Sequence, residues 1–156
     1  NSKFLQIGCE KGFLLHDIKE LYPKMKLYGL ETSSYAVNHS MKSINKSVKK
    51  CDNYIKLEFS DNFFDFVLAL GVVYTHNLTD AMQCIKEIQR VGKNNSFMTL
   101  ASYKEKDDYW LFKQWTVLGT TILKEDEWKK VLKHLNYNGD YYFTNSERLN
   151  LQKNKS

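Results

Sequence analysis

Short apolar runs alternate with amphipathic stretches along most of this 156-residue chain, the signature of βα units stacked on a parallel sheet. Residues 4–7 predict a first strand. Leu14, Ile18 and Leu21 then recur at i, i+4 and i+7 and predict a helix that ends before Pro23. Residues 26–30 predict a second strand, followed by Thr32, Ser33 and Ser34, any of which can cap a helix carrying Tyr35, Val37 and Met41. A weak third strand is expected at 48–51, and the continuous apolar run 64–70 reads as a fourth strand buried on both faces. Thr79 or Asp80 caps a long helix with Ala81, Cys84, Ile85, Ile88 and Val91 inward, and Gly92 stops it. Ser96–Tyr103 supplies a fifth strand, 124–135 a further amphipathic helix, 137–139 a turn and 141–144 a last strand. Between them, Tyr109, Trp110, Phe112 and Trp115 fall at roughly helical spacing.

No internal repeat and no Pro or Gly linker divides the chain, so residues 1–147 are expected to form a single domain, with 148–156 a flexible polar tail. Asn1 is not an initiator methionine and the first strand begins almost at once, so an amino-terminal segment is expected to be lacking. A hydrophobic content of 42% suffices for a core and excludes global disorder. The net charge of +5 raises the question of a nucleic-acid partner. The lysines, however, are interspersed with acidic residues, as in 124–133, and only Lys46, Lys49 and Lys50 form a dense run. The charge therefore reads as a solvated face, and no nucleic acid is expected. Cys9, Cys51 and Cys84 form no CxxC pair, which argues against a disulfide framework and a zinc knuckle. With no metal site, no membrane-spanning run and no signal segment in the pattern, a cytoplasmic protein without a membrane partner is expected. Its oligomeric state is open.

The chemistry concentrates after the first strand. A strand ending in a glycine turn that opens a helix, with an acidic residue at the tip of the next strand, is how Rossmann-like domains hold an adenosine ribose. Gly8 and Gly12 form the turn and Glu31 is the acid, about 20 residues on as the geometry requires. The dinucleotide pattern GxGxxG fails at Glu10 and Phe13, and no GK[ST] exists for a phosphate loop. A GxGxG turn loses only its middle glycine.

The stretch QIGCEKGFLLHDIKELYPKMKLYGLETS resembles the first two motifs of class I S-adenosylmethionine-dependent methyltransferases, type 11-like. LEFSDNFFDFVLALGVVYTHN is similar to that family's LPF-x-DNSFD strand, and EIQRVGKNNSFMTLASY to its E-x-x-RV-x-K-x-G unit. Four motifs in the right order span most of the chain. The resemblance implies a Rossmann-like three-layer α/β/α sandwich with a mostly parallel sheet, S-adenosylmethionine as cofactor and S-adenosylhomocysteine as product. It places Gln6, Gly8, Cys9 and Gly12 against the methionine half of the cofactor and Glu31 on the ribose. Asp52 or Asn53 then meets the adenine amino group, and Leu70 and Gly71 support the methionine. Tyr74 and His76 follow on the loop that commonly faces the acceptor, where His76 is the candidate base. Two residues depart from the pattern. Gln6 stands where the family has an acid, which reduces a charged bond of about 1.5–3 kcal/mol to a neutral one. Glu10 replaces the middle glycine, at about 1–2 kcal/mol if that position needs φ > 0, and Lys11 beside it can offset its charge.

Methyl transfer from a sulfonium is an in-line displacement in which positioning supplies much of the acceleration, and a base is optional. The expected function is methyl transfer to a small-molecule or sugar-containing acceptor, with specificity set by 103–121. The alternative is an inactive cofactor-binding or interaction module of the same fold, which Gln6 and Glu10 favour; RNA methylation ranks third. His16 reads as a packing or surface residue, Cys9 as a small buried one and Trp128 as core. Trp110 and Trp115 fit either a pocket roof or the core.

Overall fold

A computed structural model describes residues 1–151. The chain enters β1 (Lys3–Ile7), crosses α1 (Phe13–Leu21) to β2 (Lys26–Glu31), and passes through the short α2 (Ser34–Asn38) to β3 (Val48–Lys50). It returns through β4 (Phe66–Ala69), a 3-10 turn (Val73–Thr75), α3 (Leu78–Val91) and β5 (Ser96–Tyr103). It closes with α4 (Lys106–Trp115), β6 (Leu123–Lys124), α5 (Glu125–His134) and β7 (Asp140–Thr144). The strands lie in the order β3-β2-β1-β4-β5-β6, with β7 also paired to β5. Every pairing is parallel.

Side chains alternate across this sheet and build two cores. In β4, Val67 and Ala69 join the larger core with Ile85 and Ile88 of α3, Phe112 of α4 and Trp128 of α5, while Phe66 and Leu68 face the smaller one with Leu15 of α1. Helices therefore cover both faces, which is the expected Rossmann-like sandwich. Trp128 is fully buried and its indole N–H donates to the Ala101 carbonyl at 2.7 Å. All five residues expected inward on α3 are buried, and Gly92 is its C-cap.

Several elements differ from the pattern. On α1 the expected Leu14, Ile18 and Leu21 face gives way to one centred on Leu15, which is fully buried, while Leu21 is 72% exposed. Gly29 has no side chain, and Leu15 and Cys9 fill the space a Cβ there would take, drawing that side of the helix onto β2. The cap of α3 is Asn77, whose side chain accepts the Asp80 N–H at 2.9 Å, so Thr79 and Asp80 lie inside the helix. Asn caps as well as Asp, and Asp80 then sits favourably in the first turn. Ser33 caps α2, which ends before Met41. The fourth strand keeps only its centre: Phe64 makes a lone bridge to Gly92, and Leu70 is 40% exposed. The two residues of β6 had no periodicity to announce them. Asn145 accepts the Arg148 N–H at 2.8 Å, and Leu151 N–H reaches the Ser146 carbonyl, closing a turn after β7. The rest of the expected tail, 152–156, lies outside the described residues. Among the described residues no helix is long and apolar enough to cross a membrane.

Candidate functional site

In an open parallel sheet, ligands sit beyond the carboxyl ends of the strands where the strand order reverses. Here that point lies between β1 and β4. Ile7 pairs with both Leu30 and Ala69, so the glycine turn, Glu31 and Leu70 come level with one another. The N–H groups of Gly8 and Cys9 both donate to the Leu30 carbonyl, at 2.9 and 3.0 Å, and Gly12 N–H donates to Cys9 at 2.8 Å.

Glu31 is the hub of this corner. The residue is 8% exposed, with Oε2 accepting the Glu10 N–H at 2.8 Å and Oε1 the Ser33 N–H at 2.9 Å. One residue thus ties the turn to the start of α2. Each oxygen keeps a second lone pair, enough to receive a pair of ligand hydroxyls. Gln6 of β1 is 7% exposed, and its Oε1 is the one buried side-chain N or O atom among the described residues without a hydrogen-bond partner. Leaving such an acceptor unpaired costs about 1–3 kcal/mol. A ligand N–H or ammonium would satisfy it.

Glu10 has φ 50, in the left-handed region. The other described residues with positive φ are glycines or asparagines, so Glu10 bears a strain that those types avoid. Glycine would relieve about 1–2 kcal/mol of that strain but give back about 0.5–1 kcal/mol through the entropy of the unfolded chain. Glu10→Gly is therefore expected to stabilise the domain by about 0.5–1 kcal/mol, read as a small rise in melting temperature; a fall would show that the Glu10 side chain holds the turn. Lys11 does not lie against Glu10's charge: its ammonium stands 5.1 Å over the Tyr35 ring, where a cation–π contact holds it.

The turn glycines are also required by the packing around them. A Cβ on Gly8 would collide with Val72, and one on Gly12 with Ile44. Both glycines also have positive φ. The Cys9 thiol is turned inward, 3% exposed, and burial first and Glu31 second push its pKa up to about 12. It is no nucleophile.

Asp52 and Asn53 stand at the rim of a cavity of about 410 Å³ beside β3, with Leu30 and Leu57 in its wall. Asn53 directs its carbonyl oxygen to the N–H groups of Ile55 and Lys56, both at 3.1 Å, and shapes its own loop. Beyond β4, Gly71 has φ 67 and donates its N–H to Thr99 Oγ1 at 2.8 Å. Tyr74 is 8% exposed and edge-on to Phe112, and burial raises its hydroxyl above the ordinary range. His76 is half-buried; Nδ1 donates to the Val72 carbonyl at 3.2 Å, which leaves the lone pair of a neutral ring on Nε2. Thr121 holds this segment, its hydroxyl donating to the His76 carbonyl at 2.5 Å.

Two features escaped the sequence. Tyr54 is 7% exposed, accepts the Thr32 N–H at 3.1 Å and stands edge-on to His76 at 6.2 Å, so it links the Glu31 corner to the His76 segment. Its only signal was an aromatic ring within the polar stretch 49–58. The second is the pair Glu87 and Arg90, present in a recognised motif but without an assigned role. Arg90 clasps the loop before β4, donating to the carbonyls of Leu57 and Phe59 and to Asp61 and Glu87. Among the described residues, no three His, Cys, Asp or Glu side chains converge as a metal site.

A family model described as a methyltransferase domain matches residues 1–144. Cycloartenol-C-24-methyltransferase 1 of Oryza sativa subsp. japonica is 30% identical over 114 residues, covering 69% of this chain and 32% of that protein. The YcgJ protein from Bacillus subtilis superposes with a TM-score of 0.67 at 15% identity, over 86% of this chain and 61% of that one. A SAM-dependent methyltransferase from Archaeoglobus fulgidus gives 0.65 at 16% identity, over 86% and 60%. At these identities the two structures share the fold, and the chain spans less than two thirds of each of these relatives. The family match runs through every strand from β1 to β7, and the chain belongs to the class I S-adenosylmethionine-dependent methyltransferases.

Proposed function

We propose that this domain transfers a methyl group from S-adenosylmethionine to a small-molecule or sugar-containing acceptor. The observation that carries the proposal is the unpaired, buried Gln6 Oε1 on β1, the strand paired with the one that ends in Glu31. When bound, the cofactor supplies an electrophilic methyl on a sulfonium. Gln6 accepts from its ammonium, Glu31 from the ribose hydroxyls, and Asp52 from the adenine amino group, while Leu70 and Gly71 line the methionine. His76 Nε2 takes the proton of an acceptor hydroxyl or amine. Tyr74, buried and protonated, shapes the acceptor side rather than exchanging a proton. The strain at Glu10 and the neutral amide at position 6 favour a second reading, a cofactor-binding module without turnover.

Titration calorimetry tests the first step. Micromolar binding of both S-adenosylmethionine and S-adenosylhomocysteine is expected, and absence of binding at millimolar ligand overturns the proposal. Gln6→Glu should tighten both roughly tenfold, since a charged bond replaces a neutral one. Unchanged affinity would put the ammonium elsewhere. Turnover with any acceptor then separates enzyme from binding module.

A further inference from the structure

The aromatic segment borders a second cavity at the carboxyl end of β5. Tyr103 ends that strand, Tyr109 and Trp110 belong to α4, and Lys124 of β6 pairs with Tyr103 in register. The Tyr109 ring is edge-on to both Tyr103, at 5.3 Å and 77°, and Trp110, at 5.2 Å and 86°. The three rings wall a cavity of about 430 Å³ whose rim carries Lys104, Lys106, Lys124 and Glu105. Trp110 leaves 55% of its surface in water, so its ring is open to a ligand.

A box of rings suits a cation when its surroundings are neutral or acidic. Lys104 is paired with Glu147 at 2.6 Å, and the two remaining ammonium groups, of Lys106 and Lys124, against the one carboxylate of Glu105 reverse that preference. Lys124 sets its ammonium 6.0 Å over the Tyr103 ring, and Lys106 lines the same cavity. We infer that this cavity binds a flat aromatic ring carrying a carboxylate, the ring against Trp110 and the carboxylate facing Lys124 and Lys106. The site lies on the carboxyl side of the sheet, as the glycine turn does. Thr120 and Thr121, just before β6, give their N–H groups to the Tyr74 carbonyl, and the Thr121 hydroxyl donates to the His76 carbonyl, so the segment leading into Lys124 is tied to the His76 segment. On the methyl-transfer reading the bound ring is part of the acceptor, whereas the binding itself does not rest on that reading.

Titration of the whole chain with 4-hydroxybenzoate, without cofactor, tests the site. Binding in the millimolar range or tighter is expected. Trp110→Ala and Lys124→Gln, both at exposed side chains, should each weaken it about fivefold, and Trp110→Phe should recover part of the loss. Added salt should weaken it as well. Absence of binding at ~20 mM, equal binding by the variants, or preferential binding of choline overturns the inference. S-adenosylmethionine affinity measured on the same samples keeps the two proposals apart, since either site can fail while the other binds.

Discussion

Arg90→Ala is expected to destabilise the domain by about 2–4 kcal/mol, lowering the melting temperature by roughly 5–15 °C. Arg90 meets Glu87 with two nitrogens, Nε at 2.7 Å and Nη2 at 2.8 Å, and reaches the carbonyls of Phe59 at 2.8 Å and Leu57 at 3.0 Å. Glu87 is 6% exposed, and its remaining bond is from the Leu57 N–H at 2.7 Å. Removing the guanidinium thus leaves a buried carboxylate against one N–H and frees two loop carbonyls. The upper end of the range for a fully buried pair does not apply, because the Arg90 side chain is 32% exposed and water can reach part of the gap. The Asp61 contact adds little, with 71% of that side chain exposed. Lysine at position 90 should recover only part of the loss, as a point donor cannot span a carboxylate and two carbonyls. A melting temperature within about 2 °C of the parent would show that the loop holds itself.

The same pair sets a pH dependence. Arg90 first, and the Leu57 N–H after it, hold the Glu87 carboxyl below its ordinary range against the opposing effect of burial. A group depressed in the folded state stabilises above its unfolded value, and that stabilisation is lost as the pH falls through the folded value. The stability gap between the parent and Arg90→Ala should therefore be widest near neutral pH and narrow on acidification below the ordinary carboxyl range. A gap that stays constant would exclude Glu87 ionisation as its source.

The elements that the sequence announced were those whose periodicity is enforced by burial. Residues 81, 84, 85, 88 and 91 of α3 face a covered sheet, and their 3.6-residue spacing survives into the structure unchanged. Where packing turns on a missing side chain, periodicity misleads: Gly29 rotates α1 onto Leu15, a fact about β2 that no window on α1 contains. At the site, the glycine turn and Glu31 were legible because local geometry and strand spacing fix them together. Their partners were not. Tyr54 reaches Thr32 across 22 residues, and Arg90 reaches Leu57 across 33, through loops whose path only the folded sheet determines. The conformation of Glu10 lay between these cases. Its cost was conditional on a positive φ, and the observed φ of 50 meets the condition.

Glu31→Gln is expected to behave nearly as badly as Glu31→Ala, although it preserves shape. Both carboxylate oxygens accept backbone N–H groups, from Glu10 at 2.8 Å and Ser33 at 2.9 Å. A glutamine amide has one oxygen, so in either orientation its NH₂ confronts an N–H donor, and one backbone group in a corner 8% exposed loses its partner. Each such loss costs about 1–3 kcal/mol. The cofactor-free protein should therefore melt lower in both variants, and, on the proposed role of Glu31 as acceptor for the ribose hydroxyls, S-adenosylmethionine affinity should fall by roughly 100-fold or more as that charge is removed along with the ordered turn. The two effects separate by measurement: stability reports the clamp on Glu10 and Ser33, and calorimetry at a temperature where the variants remain folded reports the ligand. A Glu31→Gln domain that melts like the parent would mean that the turn does not depend on the clamp. One that melts lower yet binds S-adenosylmethionine within about threefold of the parent would take the ribose away from Glu31. Only the loss of both joins the turn, the strand tip and the cofactor in a single carboxylate.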